Sequence, residues 1–459
     1  MKKKCLSFLA VALAIGLAGC GTPNTQAVWP ELRPLGKDLP TFQPPVQPPP
    51  LAVIRNQVGE PTGALTLRQA LALALMQNPE LAAFAWEVRA GEARTLQAGL
   101  IPNPEIGVEV ENFAGSRELR GFRGSETTVQ FSQLIELGGK RLKRRRVAGL
   151  ERDLAAWDYE TKRLDVFTRV AQSFVQVLSD QERVAANEEL VRLAEQVLET
   201  VAERVQAGKV SPVEETRAKV ALSSSRIALE RARRQLDAAR KALAATWGST
   251  KVTFERAEGN LDVIAAIPTA EQVAQRVQQN PDLARWVTEI AQREAAVDLE
   301  GARRIPDLTV GVGPKYFNET NNQAMMMEFS IPLPFFDRNQ GGYLEARYRL
   351  AKASEERRAA ETQVRATLGQ AYAALSAAYG AATALRDEVL PGAGSAFEAA
   401  SEGYRQGKFG ILDVLDAQRT LFEAKSQYIE ALAAYHNAVA QVERLIGEPL
   451  SAVNTPVQP

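Results

Sequence analysis

The sequence predicts a mainly α-helical fold with a smaller β contribution, built as a tandem repeat of helix, strand, strand, long helix and helix. Three observations carry this reading. Matching segments recur about 200 residues apart, long stretches are dominated by Ala, Leu, Glu, Arg and Gln, and four short segments alternate apolar with polar residues.

The repeat is visible at five places. Asn78-Pro79 recurs as Asn280-Pro281, 202 residues on, and PEIGVEV at Pro104 as PDLTVGV at Pro306, again 202 on. VQFS ends at Ser132 and MEFS at Ser330, 198 apart. AGK at 207–209 matches QGK at 406–408, and Trp247-Gly248 matches Ile446-Gly447, both 199 apart. A near-constant offset across five sites argues for duplication, and the drift places short insertions in loops.

Each half then reads in the same order. A helix of roughly 35 residues is expected at Thr66–Leu100 and Thr269–Arg304, where good helix formers dominate. Next come strands near 104–113 and 126–135 in the first half, and near 306–317 and 324–333 in the second. Ile106, Val108 and Val110 alternate with Glu105, Gly107, Glu109 and Glu111. Met325, Met327, Phe329 and Ile331 alternate with Met326, Glu328 and Ser330. Period two with one apolar face is the pattern of a half-buried strand, whether in a wet soluble sheet or in a membrane barrel. The Met325-Met326-Met327 run puts its sulfurs on alternating faces, which favours packing over a copper site. A helical stretch of nearly 70 residues follows, about Gly139–Ala207 and Asn339–Gln406, then a glycine turn and a last helix, Val213–Trp247 and Ile411–Ile446. At 1.5 Å per residue the long helix spans about 100 Å and the short ones about 50 Å, so two short helices stacked end to end match one long one. Such helices need partners along their length. Pro391-Gly392 should kink the second long stretch only, because the first has no proline there.

The N-terminus reads as a targeting segment. MKKK is a basic n-region and CLSFLAVALAIG an apolar h-region too short to span a membrane comfortably. Leu17-Ala18-Gly19-Cys20 resembles the bacterial lipobox, which implies cleavage before Cys20 and a diacylglycerol and an N-acyl chain on that cysteine; Gly21 fits sorting to the outer membrane. The resulting domain reading is signal peptide at 1–19, a lipid-anchored Pro-rich extended segment at 20–64, the first repeat at 65–250, the second at 268–448 and a tail at 449–459.

Composition excludes several classes. Lys+Arg and Asp+Glu both number 55, so no basic excess points to nucleic acid. The only histidine, His436, lies in a helical stretch, and the cysteines are Cys5 and Cys20 alone. No phosphate loop, Ser/His/Asp set or His/Cys cluster is present, so neither an enzyme, a metal site nor a cofactor other than the acyl chains is expected. No further long apolar run exists, so any crossing must be by strands. Four strands cannot close a barrel and open edges are not tolerated in lipid, so a membrane role requires several chains; three give twelve strands.

This order of elements resembles the TolC family of outer-membrane efflux ducts over nearly the whole mature chain. Two junctions sharpen the likeness. QLIELGGKRLKRR (133–145) looks like that family's strand-to-helix exit, and SIPLPFFDRNQGG (330–342) looks like the exit in its heavy-metal branch, the CzcC- and CusC-like proteins. Pro332 and Pro334 would end strand pairing, while Gly138-Gly139 and Gly341-Gly342 would permit the bend into the helix. The Lys140–Arg146 basic run reads equally as an inner-headgroup contact or a solvated helix face. The resemblance implies a homotrimer with a twelve-stranded outer-membrane barrel and a periplasmic helical tunnel. It also implies a periplasmic adaptor and an inner-membrane RND-type pump as partners.

At the helix turns, Ser211-Pro212-Val213-Glu214 reads as cap, N1 proline and N3 acid, and Asp413 holds the matching place in GKFGILDVLDA. Asp413 therefore has a helix-start role available. LDVLDA also resembles the family's periplasmic gate, which would make Asp413 and Asp416 ring the pore, six carboxylates per trimer. The turns at Gly208 and Gly407, with Glu214 and Phe409, would form the tip that meets the adaptor. Phe409 stands where some such gates carry arginine, so an Arg–acid latch from that position to Glu214 is ruled out. Two other functions stay open: the duct of a type I protein-secretion system, which nothing in one chain separates from an efflux duct, and, fitting less well, a non-pore lipid-anchored coiled-coil scaffold.

Overall fold

In a computed structural model of the chain, the structure describes residues 29, 31–45 and 59–453. The signal peptide, Cys20 and the end of the tail lie outside the described residues. The chain forms two compact units, and each draws on both halves of the repeat.

The first unit comprises residues 87–156 and 285–357. Its centre is a four-stranded antiparallel sheet of β2 (Glu105–Glu111), β3 (Glu126–Ile135), β5 (Leu308–Phe317) and β6 (Asn322–Ser330), in the order β2-β3-β5-β6. The central pairing, Phe131 with Val312, joins the first half to the second. Pairing ends at Ser330 opposite Thr309, just before Pro332 and Pro334, which cannot donate to a ladder.

The second unit comprises 31–86, 157–284 and 358–459. It contains a short parallel pair, β1 (Ala64–Thr66) with β4 (Arg256–Glu258), which the sequence did not announce. Its helices include α1 (Leu67–Gln77), the start of α2 (Pro79–Ala98), α4 (Pro212–Ala245), α5 (Ala270–Gln275) and α9 (Ile411–Ile446). α3 (Lys140–Gln206) is continuous, and at 67 residues it spans about 100 Å. α9 buries Ile411, Val414, Gln418 and Leu421 near its start, the three-and-four spacing of a coiled-coil seam, and Leu432, Tyr435, Val442 and Leu445 among others further on. His436 packs edge-on against Tyr435, and its Nε2 lies 2.9 Å from the Leu261 carbonyl.

The duplication extends to the contacts. Thr66 with Gln69 and Thr269 with Gln272 form equivalent capping boxes. Asn78 donates its carboxamide to the Thr246 carbonyl (2.7 Å), and Asn280 does the same to Leu445 (2.9 Å). The final helices both stop at left-handed glycines, Gly248 (φ 80°) and Gly447 (φ 72°).

Two expectations need correction, and a third, the break in the second long helix, holds. The first helix of each half is not continuous. Asn78 and Asn280 leave the helical region because the following proline excludes it, so α2 and α6 (Pro281–Arg303) start afresh at Pro79 and Pro281. The second long helix is interrupted at Pro391 as expected, into α7 (Gln340–Ala384) and α8 (Leu390–Arg405), joined by a π turn at Leu385–Val389. Pro391 has no N–H for the Asp387 carbonyl, and the wider turn, with Leu390 N–H donating to Leu385, absorbs the missing bond. Finally, Gly341 and Gly342 do not make the bend into α7, since both lie in its first turn. Asn339 makes it, at φ 52°, a conformation asparagine tolerates. Gly342 instead makes room, because a Cβ there would come within 2.4 Å of the Asn339 carboxamide oxygen. Gly138 and Gly139, both at φ 69°, do form the first junction as expected.

Candidate functional site

Two regions carry functional character, the sheet of the first unit and the helix turns of the second. The register puts Ile106, Phe131, Val312 and Met327 in one row across the sheet and Val310 with Phe329 in the next. All of these sit on one face with Val108, Val129 and Met325. That face is bare: Ile106 is 76% exposed, Met325 72% and Phe329 65%. An apolar patch covering a whole sheet face is foreign to a soluble monomer. The opposite face carries Glu105, Glu109, Glu111, Glu126 and Glu328, with Lys315 bonded to Glu111 (2.8 Å) and Glu126 (2.5 Å). Gln130 reaches Glu328 (2.6 Å) across Gly311, where any Cβ would collide with it. Apolar on one side and polar on the other, with strands of 7 to 10 residues, is the make-up of a transmembrane barrel wall. β2 and β6 are open edges of this sheet.

At the base of the sheet the basic run is engaged by protein. Lys140 pairs with Asp307 (2.7 Å), and Lys143 donates to the Asp298 carbonyl. Arg144 grips Glu136 (2.5 and 3.2 Å) and the Ala98 and Leu100 carbonyls. These three residues clamp the strand-to-helix turn, so this part of the basic run is more than a plain solvated face.

At the turns, Gly208 (φ 66°) and Gly407 (φ 75°) provide the left-handed residues that let α3 turn into α4 and α8 into α9. Ser211 caps α4 by accepting from Val213 N–H (3.3 Å). Asp413 reaches back to accept from Gly410 N–H (2.8 Å), the N3 acid of a helix start. Asp416, a turn further in, is exposed and accepts from Arg419 (2.6 Å). Glu214 does not turn back to its cap; it accepts from the Tyr404 hydroxyl (3.1 Å). Burial first, and then this carboxylate, push the Tyr404 phenol up to about 12. Arg204 lies over the Tyr404 ring at 4.4 Å and donates to the Tyr404 carbonyl. Phe409 packs on Gly403, where a Cβ would come within 2.1 Å of the ring.

Sequence reasoning missed Arg204, Gly403 and Tyr404. Their one visible signal was position, just before each glycine turn. They link the α3–α4 and α8–α9 turns without an arginine at Phe409.

A strand sheet with a bare apolar face and a long helical body defines a protein of the outer-membrane duct class. The chain belongs to the Outer membrane efflux protein family, which matches residues 70–249 and 273–448, one match per half. It is 38% identical over 388 residues to the cobalt-zinc-cadmium resistance protein CzcC of Cupriavidus metallidurans, covering 84% of this chain and 91% of that one. Its fold matches the outer membrane protein VceC of Vibrio cholerae (TM-score 0.70, 17% identity, 84% of this chain and 96% of that one). It matches CusC, whose structures describe transmembrane channel formation, equally well (TM-score 0.70, 17% identity, 89% and 99%). The protein is therefore an outer-membrane efflux protein with a TolC-like fold.

Proposed function

We propose that three copies of this chain pool their sheets into a twelve-stranded barrel and act as the outer duct of a tripartite system exporting divalent transition-metal cations. The observation that carries the pore is the bare apolar sheet face with two unpaired edges, β2 and β6, which lipid does not tolerate unless another copy pairs with them. Metal cargo is supported by the likeness to a cobalt-zinc-cadmium resistance protein over most of both chains. The duct performs no covalent chemistry. An inner-membrane pump supplies cargo, a periplasmic adaptor meets the turns around Gly208 and Gly407, and acyl chains on Cys20 add a second membrane anchor. Asp413 and Asp416 then face the pore at its narrow end, Asp413 also serving its helix start. Deletion of the gene should lower tolerance to cobalt, zinc and cadmium and leave tolerance to dyes and detergents intact. Unchanged metal tolerance with loss of a secreted protein would overturn the reading in favour of protein export.

A further inference from the structure

The two hairpins of the sheet end very differently. β5 and β6 are joined by four residues, 318–321, whereas β2 and β3 are joined by fourteen, 112–125, with the sequence NFAGSRELRGFRGS. This loop lies at the end of the strands away from the strand-to-helix junctions. It is built rather than slack. Ala114 N–H donates to Gly121 (2.7 Å) and Gly115 N–H to Leu119 (3.0 Å) around a 3-10 turn at Arg117–Leu119. Leu119 fills the space a Cβ would need at Gly115 or Gly124. Phe113 and Phe122 stack at 5.9 Å, and Asn318 of the neighbouring hairpin fastens the loop through Ser125 and Phe122. Ala114 and Arg117 are held at φ 59° and 55°, which non-glycine residues adopt only when their surroundings impose it.

What this framework displays is three arginines and two phenyl rings. Arg117, Arg120 and Arg123 are exposed, and none has an ion-pair or hydrogen-bond partner among the described side chains. Lys140, Lys143 and Arg144 at the other end of the sheet are all engaged by protein. Phe113 and Phe122 are more than half exposed. The Arg120 N–H donates to the Arg117 carbonyl (3.2 Å), which closes the turn between these two arginines. With one glutamate in the loop, three arginines against one acid leave a net charge of +2.

We propose that the β2–β3 loop is a docking surface for phosphorylated lipid headgroups of the outer leaflet. Arg117, Arg120 and Arg123 pair with phosphate oxygens, and Phe113 and Phe122 rest at the headgroup boundary. Guanidinium matches phosphate in charge and in bidentate geometry. Aromatic rings gather where lipid meets water. The apolar face of β2 ends at Val110, immediately before the loop, so the loop sits where that boundary falls. A loop folded over the pore mouth would give the arginines a use but would leave both rings in water. The proposal rests on outer-membrane placement and is independent of the metal cargo.

The test uses the purified full chain in a neutral detergent, incubated with diphosphorylated lipid A, with its phosphate-free counterpart, or with inorganic phosphate, and read by native mass spectrometry. Wild type should retain the diphosphorylated lipid at least tenfold more than the phosphate-free one, with no competition from equimolar inorganic phosphate. R117Q/R120Q/R123Q should abolish that preference. The single variant R123Q, away from the positive-φ positions, should lower it severalfold with unchanged circular dichroism. Equal retention by wild type and the triple variant overturns the proposal. So does a triple variant that changes only the asymmetry of the channel current, which would move the arginines to the pore mouth. Either failure leaves the metal-tolerance phenotype of the gene deletion untouched.

Discussion

Tyr404→Phe isolates the contact that links the two helix turns. The substitution keeps the ring, and with it the Arg204 stack at 4.4 Å, and removes only the hydroxyl that donates to Glu214 at 3.1 Å. A hydrogen bond to a charged group contributes roughly 1.5–3 kcal/mol. Glu214 is partly open to solvent, which lowers the figure to about 1–2 kcal/mol. If the turns part when the duct opens, that energy converts to about a 5- to 30-fold shift toward the open state, a tenfold change per 1.4 kcal/mol. Single-channel recording in planar bilayers reads the shift as open probability. Tyr404→Phe should raise it, and Glu214→Gln, whose amide oxygen still accepts from the phenol, should raise it less. Thermal unfolding separates the alternative: a lowered melting temperature with open probability within twofold of wild type would mean that the bond only stabilises the fold. That result would refute the latch.

Three further substitutions test other parts of the structure. Glu443 is pushed up to about 7 by burial, partly offset by the Leu450 N–H it accepts at 2.8 Å. A raised carboxyl pKa means the native state binds its proton more tightly than the unfolded chain, so stability falls as pH rises from 4.5 to 7. Glu443→Gln should therefore stabilise by up to about 3 kcal/mol at pH 8 and flatten that pH dependence, while equal slopes in a melting series from pH 5 to 8 would contradict the burial argument. Arg163 and Glu160 are fully buried, doubly bonded at 2.8 Å, and hold the Arg33 and Leu35 backbone; Arg163→Met strands the carboxylate, should cost about 3–5 kcal/mol, and should open residues 31–45 to limited proteolysis. Asp413→Ala should cost about 1 kcal/mol as a lost helix-start acid, and combined with Asp416→Ala it should weaken cation selectivity and block by multivalent cations in bilayers; full retention of both would confine the pair to local structure.

The parts of the fold that depend on local chemistry were legible in the sequence. The Asn-Pro steps, the glycine turns and the alternating strands each impose a backbone state by themselves, and duplication displayed each of them twice. What stayed hidden depends on distant partners. The Arg163–Glu160 pair looks like an ordinary helix i,i+3 pair until residues 33–35 fold onto it, about 130 positions away in sequence. The sequence places Asn339 at the start of the second long helix, and only the carbonyl and carboxylate of Glu300, bonded to its carboxamide at 3.0 and 2.6 Å, show why it takes the bend instead. The two N3 acids make the point most sharply. Glu214 and Asp413 hold equivalent places in the repeat, yet Asp413 turns back to its own helix start while Glu214 turns away to Tyr404. The difference follows from neighbours and not from length, since Gln69 and Gln272, as long as a glutamate, do turn back to their caps. Asp413 closes on Gly410, whereas Glu214 has a tyrosine, 190 residues on, to meet it. A duplicated sequence therefore reveals which positions start helices, and the folded chain decides which of two equivalent acids is released to link one half to the other.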